Sequence, residues 1–152
     1  MKLLRDRNIR LLLLLCLVIA GLLLSSRPQR VDLPTEDAYV LCRLSFSGQF
    51  MLLPLPKEGE RTCPITQALP DGAEAENILH LTAEGFYMES ANCKNGDCLR
   101  QGMVTLKNRE DRLLQNCVIC LPHQLTAELY TAGEIAALEL PKDKELTWTE
   151  RK

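Results

Sequence analysis

Hydrophobic and polar positions divide this chain into two unlike parts. From Leu11 to Leu24 the residues are apolar without a break, a run of 14 with no polar face. That pattern does not fit a core helix of a small domain, which needs a polar side turned to water. After residue 37 the apolar positions fall instead into short runs separated by turn formers, the pattern of β-strands. Tyr39 to Leu44 and Gln49 to Leu53 flank Ser47-Gly48 and predict a hairpin. Arg61 to Ile65 is a short third strand. Asn77 to Thr82 and Phe86 to Ser90 form a second hairpin around Ala83-Glu84-Gly85. Met103 to Lys107 and Leu113 to Leu121 predict a third, joined across Asn108 to Arg112, and Leu125 to Leu129 is the last strand. Pro54, Pro56, Pro64 and Pro70 exclude a helix through that stretch. The expected fold is all-β, a compact sandwich or barrel of about seven short strands, preceded by one N-terminal transmembrane helix.

Charge gives the apolar run its direction. Lys2, Arg5, Arg7 and Arg10 precede it, with Asp6 the one acid among the first ten residues. Basic flanks stay cytoplasmic, so the N-terminus is expected inside and the remainder outside the cell membrane. A cleaved signal peptide has a similar apolar length. Leu24 or Leu23 would then occupy the −3 position, where a small residue is required, and an uncleaved signal-anchor is the better reading. The organisation expected is residues 1–26 as basic flank and anchor, 27–37 as linker, 38–130 as the β domain and 131–152 as a C-terminal tail, either a short helix or disordered. The chain is net −2 and its first ten residues are +3, which leaves −5 for the rest. An acidic outer domain is a poor match for DNA or RNA. Arg100, Lys107, Arg109 and Arg112 are the residues from which a hidden basic patch would be built. Glu74, Glu76, Glu84 and Glu89 read as a solvated surface.

Seven cysteines are the chemistry to explain. Cys16 lies in the apolar run. Cys42, Cys63, Cys93, Cys98, Cys117 and Cys120 lie beyond it, an even number that favours disulfides in an oxidising compartment. Cys93 and Cys98 bracket Lys94-Asn95-Gly96-Asp97, and the Asn-Gly turn brings them within pairing distance. Cys42 and Cys63 are a second candidate pair. The spacing also fits a four-thiolate metal site of Cys93, Cys98, Cys117 and Cys120. Against it, Cys117 and Cys120 stand three apart on a predicted strand, and their side chains point to opposite faces. A thioredoxin-like use of Cys117-Val-Ile-Cys120 lacks the helix N-terminus that activates such a thiol.

Asn77, the stretch CKNGDCLRQGMV from Cys93 to Val104 and VICLPHQL from Val118 to Leu125 resemble domain II of the transcription factor NusG. They resemble more closely the small membrane-anchored proteins that carry this domain alone. The resemblance covers residues 38–130 and rests on Asn77, Cys93, Cys98, Gly102, Cys120, Leu121 and Pro122. It implies a compact β fold, and it makes Cys98–Cys120 the rival to a Cys93–Cys98 bridge. Cys42, Cys63 and Cys117 look additional to the pattern. A transcription role does not follow, because there is no sign of the polymerase-binding domain and the expected location is wrong.

Three functional expectations follow. The first is a membrane-tethered extracytoplasmic binding or accessory domain without catalytic activity, cofactor or metal, whose partner is another membrane or extracytoplasmic protein. The second is a redox accessory working through its cysteines. Similar tethered domains resemble parts associated with flavin-linked extracytoplasmic electron transfer, although the chain has no flavin motif. The third is a thiolate metal-binding domain. His80, alternating with Leu79 and Leu81, reads as a structural histidine, and His123, after Pro122, as an exposed one.

Overall fold

The computed structural model describes residues 13–19 and 37–147. The predicted linker except Asp37, and most of residues 1–26, lie outside them. Residues 13–19 are helical, and Leu13, Leu14, Leu15, Leu17, Val18 and Ile19 are exposed. Among the described residues no helix is long and apolar enough to cross a membrane.

The domain is mostly β. Eight strands occur among the described residues: β1 Ala38–Leu44, β2 Gln49–Pro54, β3 Glu60–Ala68, β4 Glu74–Thr82, β5 Gly85–Ala91, β6 Val104–Thr105, β7 Cys117–Cys120 and β8 Leu125–Thr131. They form two antiparallel four-stranded sheets, in the orders β2-β1-β8-β7 and β3-β4-β5-β6. The first two predicted hairpins are present, with Tyr39 opposite Pro54 and His80 opposite Tyr87. β3 is longer than expected. The third hairpin does not form. Thr105 pairs with Gly85 in one sheet, while Cys117 pairs with Glu128 in the other. The residues between β6 and β7 form consecutive turns, held by Arg109 N–H to Thr105 O at 3.1 Å and Gln115 N–H to Arg112 O at 3.0 Å.

Alternation of side chains builds the core. Val40, Cys42 and Leu44 of β1 face inward with Leu53, Ile65, Leu79, Leu81, Phe86, Leu125 and Leu129, all buried. The intervening residues Tyr39 and Leu41 face the other way and are buried too, together with Phe50, Ala132, Ile135 and Leu140. The cover on that side is helix α1, Ala132–Ala137, and the segment after it. Of the two alternatives for the C-terminal tail, residues 132–137 take the short helix. Leu146 N–H donates to Phe50 O at 2.7 Å, so the same segment also covers the edge of β2.

α1 is short and owes its start to a capping box. Thr131 Oγ1 accepts from Glu134 N–H, and the Glu134 carboxylate accepts from Thr131 N–H at 2.8 Å. Arg109 clamps that carboxylate with two hydrogen bonds of 2.7 Å. The guanidinium, more than the caps, holds the Glu134 carboxyl at about 2, below its ordinary 4.5. A depressed carboxyl stabilises the fold above the ordinary carboxylate range, and that stabilisation fades as pH falls toward about 2. Glu134→Gln is therefore expected to flatten the loss of stability between pH 4.5 and 2. Denaturant midpoints measured across that window check it, and parallel curves for variant and wild type would refute it.

Candidate thiol site

The turn formers between Cys93 and Cys98 act as read. Gly96 takes a left-handed conformation and starts a 3-10 helix, Asp97–Gln101, which carries Cys98 inward. Gly102 ends that helix at φ 73° and ψ −178°, a region that essentially only glycine occupies. The Cys93 and Cys98 sulfurs come to 3.6 Å, a hydrogen-bonding contact. Cys120, at the end of β7 in the opposite sheet, completes the group, and the three sulfurs all lie within 4.8 Å of one another. Cys93 is half-buried, whereas Cys98 and Cys120 are each 1% exposed.

Cys117 stays outside, and the four-thiolate set is corrected to three. β7 alternates, so Val118 and Cys120 are buried while Cys117 and Ile119 face the other side. The Cys117 thiol donates to Leu114 O at 2.9 Å. Cys42 and Cys63 are both fully buried in the core on strands of different sheets. Burial, and then the neighbouring Cys63, push the Cys42 thiol far above its ordinary range. None of the seven cysteines is in a disulfide in this structure, so neither the Cys93–Cys98, the Cys98–Cys120 nor the Cys42–Cys63 bridge is formed in it.

Behind the thiols lies a buried polar pair. Asn77 is 1% exposed and His123 is 4% exposed, with His123 Nδ1 to Asn77 Oδ1 at 2.7 Å. The expectation of an exposed His123 is thus overturned. The chain turns inward after Pro122 because Asn77 offers a polar partner and Gln67 Nε2 donates to the His123 carbonyl at 2.6 Å. Burial lowers the His123 pKa. Burial raises Cys120, while the neighbouring Asn77 side chain and His123 backbone draw it back down; the Asn77 amide donates to Met88 Sδ at 3.5 Å. Cys98 is pushed up to about 12, first by burial and then by its contact with Cys93. A β-bulge sits beside Asn77, since Ile78 faces Ser90 while Leu79 faces Met88 and leaves Glu89 unmatched.

A second feature was missed from sequence. The Gln101 side chain pairs with Ile119 as a neighbouring strand would, donating to its carbonyl at 2.8 Å and accepting from its N–H at 2.7 Å. This clips the 3-10 helix of one sheet to the edge strand of the other and fixes Cys98 against Cys120. No local signal marks Gln101 for that role. A pocket of about 140 Å³ opens beside Cys98 and Cys120, bordered by Asp97, Gln101, Ile119 and Leu121. Leu121 and Pro122 are exposed there.

Other predicted residues are placed as follows. His80 shares the outer face of β4 with Ile78, contacts Glu60 at 2.9 Å and stacks on Tyr87, the structural role expected. Glu74, Glu76, Glu84 and Glu89 are exposed. Arg100 is engaged with Asp97, Arg109 with Glu134, and Arg112 with the carbonyls of Gln101 and Cys117.

The molecule is therefore a small two-sheet β domain with a three-thiol cluster at the end of the sandwich. No family model matches the sequence, and no curated protein matches it either. Solved structures do. The solution structure of the Lin0431 protein from Listeria innocua is 13% identical, with a TM-score of 0.50, over 79% of this chain and 95% of that one. A DUF1312 family protein from Enterococcus faecalis V583 is 17% identical, with a TM-score of 0.45, over 62% of this chain and 97% of that one. At 13% identity, the likeness to the Listeria protein speaks for the fold alone.

Proposed function

We propose that this chain is a membrane-tethered extracytoplasmic accessory domain of the NusG domain II-like kind, whose working part is a thiol–disulfide centre. It has no catalytic activity of its own and serves a protein dithiol or disulfide on the outer membrane face. The observation that carries the reading is the number of thiols within reach of one another, which is three. Three thiols cannot all pair. One disulfide leaves one thiol beside it, able to attack and move the bond. In the forward step, two cluster thiols reduce a partner's disulfide. Their S–H bonds break, one S–S bond forms, and two electrons and two protons leave with the partner's new dithiol. In the internal step the third thiolate attacks the new disulfide and releases one of its sulfurs, with no net change of oxidation state. Cys93, as the half-exposed member, is the point of entry, because exchange requires access. The exposed apolar residues 13–19 and the basic residues before them support the tether.

Mapped alkylation of intact cells tests both parts. A membrane-impermeant reagent is expected to reach Cys93 without lysis. After acid trapping and denaturation, one disulfide per chain is expected among Cys93, Cys98 and Cys120, and it reforms when added reductant is removed. Labelling of Cys93 only after lysis would overturn the location. Three permanently free cluster thiols would overturn the exchange.

A further inference from the structure

The same three sulfurs are arranged as ligands, and we infer that in its reduced form the cluster of Cys93, Cys98 and Cys120 binds one thiophilic d10 metal ion, zinc(II) or copper(I). The inference rests on the cluster being the working part of the domain, but not on its exchanging disulfides. Geometry supports it first. Two thiolates bound at about 2.3 Å to one tetrahedral ion stand about 3.8 Å apart, and Cys93 and Cys98 stand at 3.6 Å. The third sulfur lies within 4.8 Å of both, so a small inward movement closes the set on one ion.

Support comes next from what surrounds the sulfurs. Each is delivered by a different piece of backbone: the segment after β5, the 3-10 helix and the end of β7. Gln101 holds the last two pieces together. Asn77 and the His123 backbone lie beside Cys120, and His123 Nδ1 meets Asn77 Oδ1 at 2.7 Å, which orients Asn77. Outer partners of this kind fix thiolate ligands and raise affinity. The pocket that borders Cys98 and Cys120 leaves room at a fourth position for water or a donor from another molecule. Three protein ligands with an open position is the arrangement of exchangeable and reactive metal sites, while structural zinc sites close the fourth position with protein. The chemistry is specific to soft ions. Three thiolates attract zinc(II) and copper(I) and offer little to magnesium or calcium, which take oxygen ligands.

The test uses the full chain in detergent, reduced with a phosphine and titrated with cobalt(II), then with zinc(II). One equivalent of cobalt is expected to bind with thiolate charge-transfer absorption, and zinc is expected to displace it. Mass mapping of alkylation should find Cys93, Cys98 and Cys120 protected together. Cys117→Ser should bind as wild type does. Asn77→Ala should weaken binding by about 10–100-fold, and Cys120→Ser by more. The protection map on the wild-type chain decides the matter even where a variant fails to fold. Absence of uptake, binding that survives Cys120→Ser unchanged, or binding lost in Cys117→Ser would overturn the site. Uptake by the reduced chain, with no disulfide found in cells, would refute the exchange reading and leave this one standing. A disulfide in cells without uptake would do the reverse.

Discussion

Removing any one cysteine of the cluster is expected to lock the disulfide that the other two form. In the wild-type chain the three reduced sulfurs lie within 4.8 Å of one another, so a disulfide between any two leaves the third in place to attack it. Intramolecular attack of this kind proceeds at effective concentrations that reach on the order of 10⁵ M or more, far above any external thiol. Cys93→Ser, Cys98→Ser and Cys120→Ser should each still oxidise, but with two cluster thiols only one pairing exists, and the bond has nowhere to migrate. The measurement is a pulse of alkylating reagent on oxidised protein, followed by peptide mapping. Wild-type protein should distribute the label over the cluster, each labelled position trapping the disulfide between the other two. Each variant should show one disulfide and no labelled cluster thiol. Cys117→Ser is the control and should behave as wild type, because the Cys117 thiol faces Leu114 on the other side of β7. A single fixed wild-type isomer with an inert third thiol would disprove migration.

The second large effect is expected at Gly85. A Cβ built there would stand 1.8 Å from the carbonyl oxygen of Val104 and 2.8 Å from its carbon. Backbone atoms cannot yield as a flexible side chain does, so Gly85→Ala must push β6 away from β5. β6 holds only two residues, and Val104 is fully buried. The strand would detach rather than bend, exposing core surface next to Phe86. Overpacking in cores costs typically 1–3 kcal/mol, and a contact this short belongs at or above about 3 kcal/mol. The 3-10 helix that carries Cys98 joins β5 to β6, so the cluster should loosen with it. Chemical denaturation gives the stability change, and the alkylation rate of Cys98 gives the local one. Gly133→Ala is the contrast. Nothing lies within 4 Å of its added carbon, and in α1 it should stabilise by up to about 1 kcal/mol. Equal effects at the two glycines would refute the steric account.

Much of the sandwich is legible in the sequence because its strands are long enough to show their period. β1, β2, β4, β5 and β8 lie close to where alternating apolar residues put them. The separation of Cys117 from Cys120 is legible for the same reason, since odd spacing on a strand means opposite faces. What fails is short or non-local. β6 has too few residues to display a period, and its neighbour is chosen by the close approach that Gly85 permits. The apolar positions after Asn108 look like a hairpin arm, yet Leu113 is almost wholly exposed and belongs to a turn. His123 is buried by Asn77, 46 positions away in the chain, and Gln101 works on Ile119 across two sheets. Neither partner can be found by looking at neighbours in sequence. Cysteine count and spacing mark Cys93, Cys98 and Cys120, and the resemblance to a known motif marks them again together with Asn77. Their gathering into a triangle of sulfurs is visible only once the sheets are stacked.

That triangle spans two sheets, and the span gives the alternative disulfides unequal topologies. Cys93 to Cys98 closes a loop of a few residues at one end of a single sheet. Cys98 to Cys120 encloses β6, the turns after it and β7, and so joins the two halves of the sandwich. In an unfolded chain the small ring forms more readily, because closure entropy grows with loop length. Folding removes that preference, since the native backbone holds all three sulfurs together in advance. The free energy of folding therefore tilts the isomer balance toward the large ring, the crosslink that restrains the unfolded chain more. In that isomer Cys93, the outermost sulfur, is left as the thiol. Within the folded domain the large ring thus leaves its spare thiol at the half-buried position of Cys93, whereas the small ring leaves it at Cys120, which is 1% exposed.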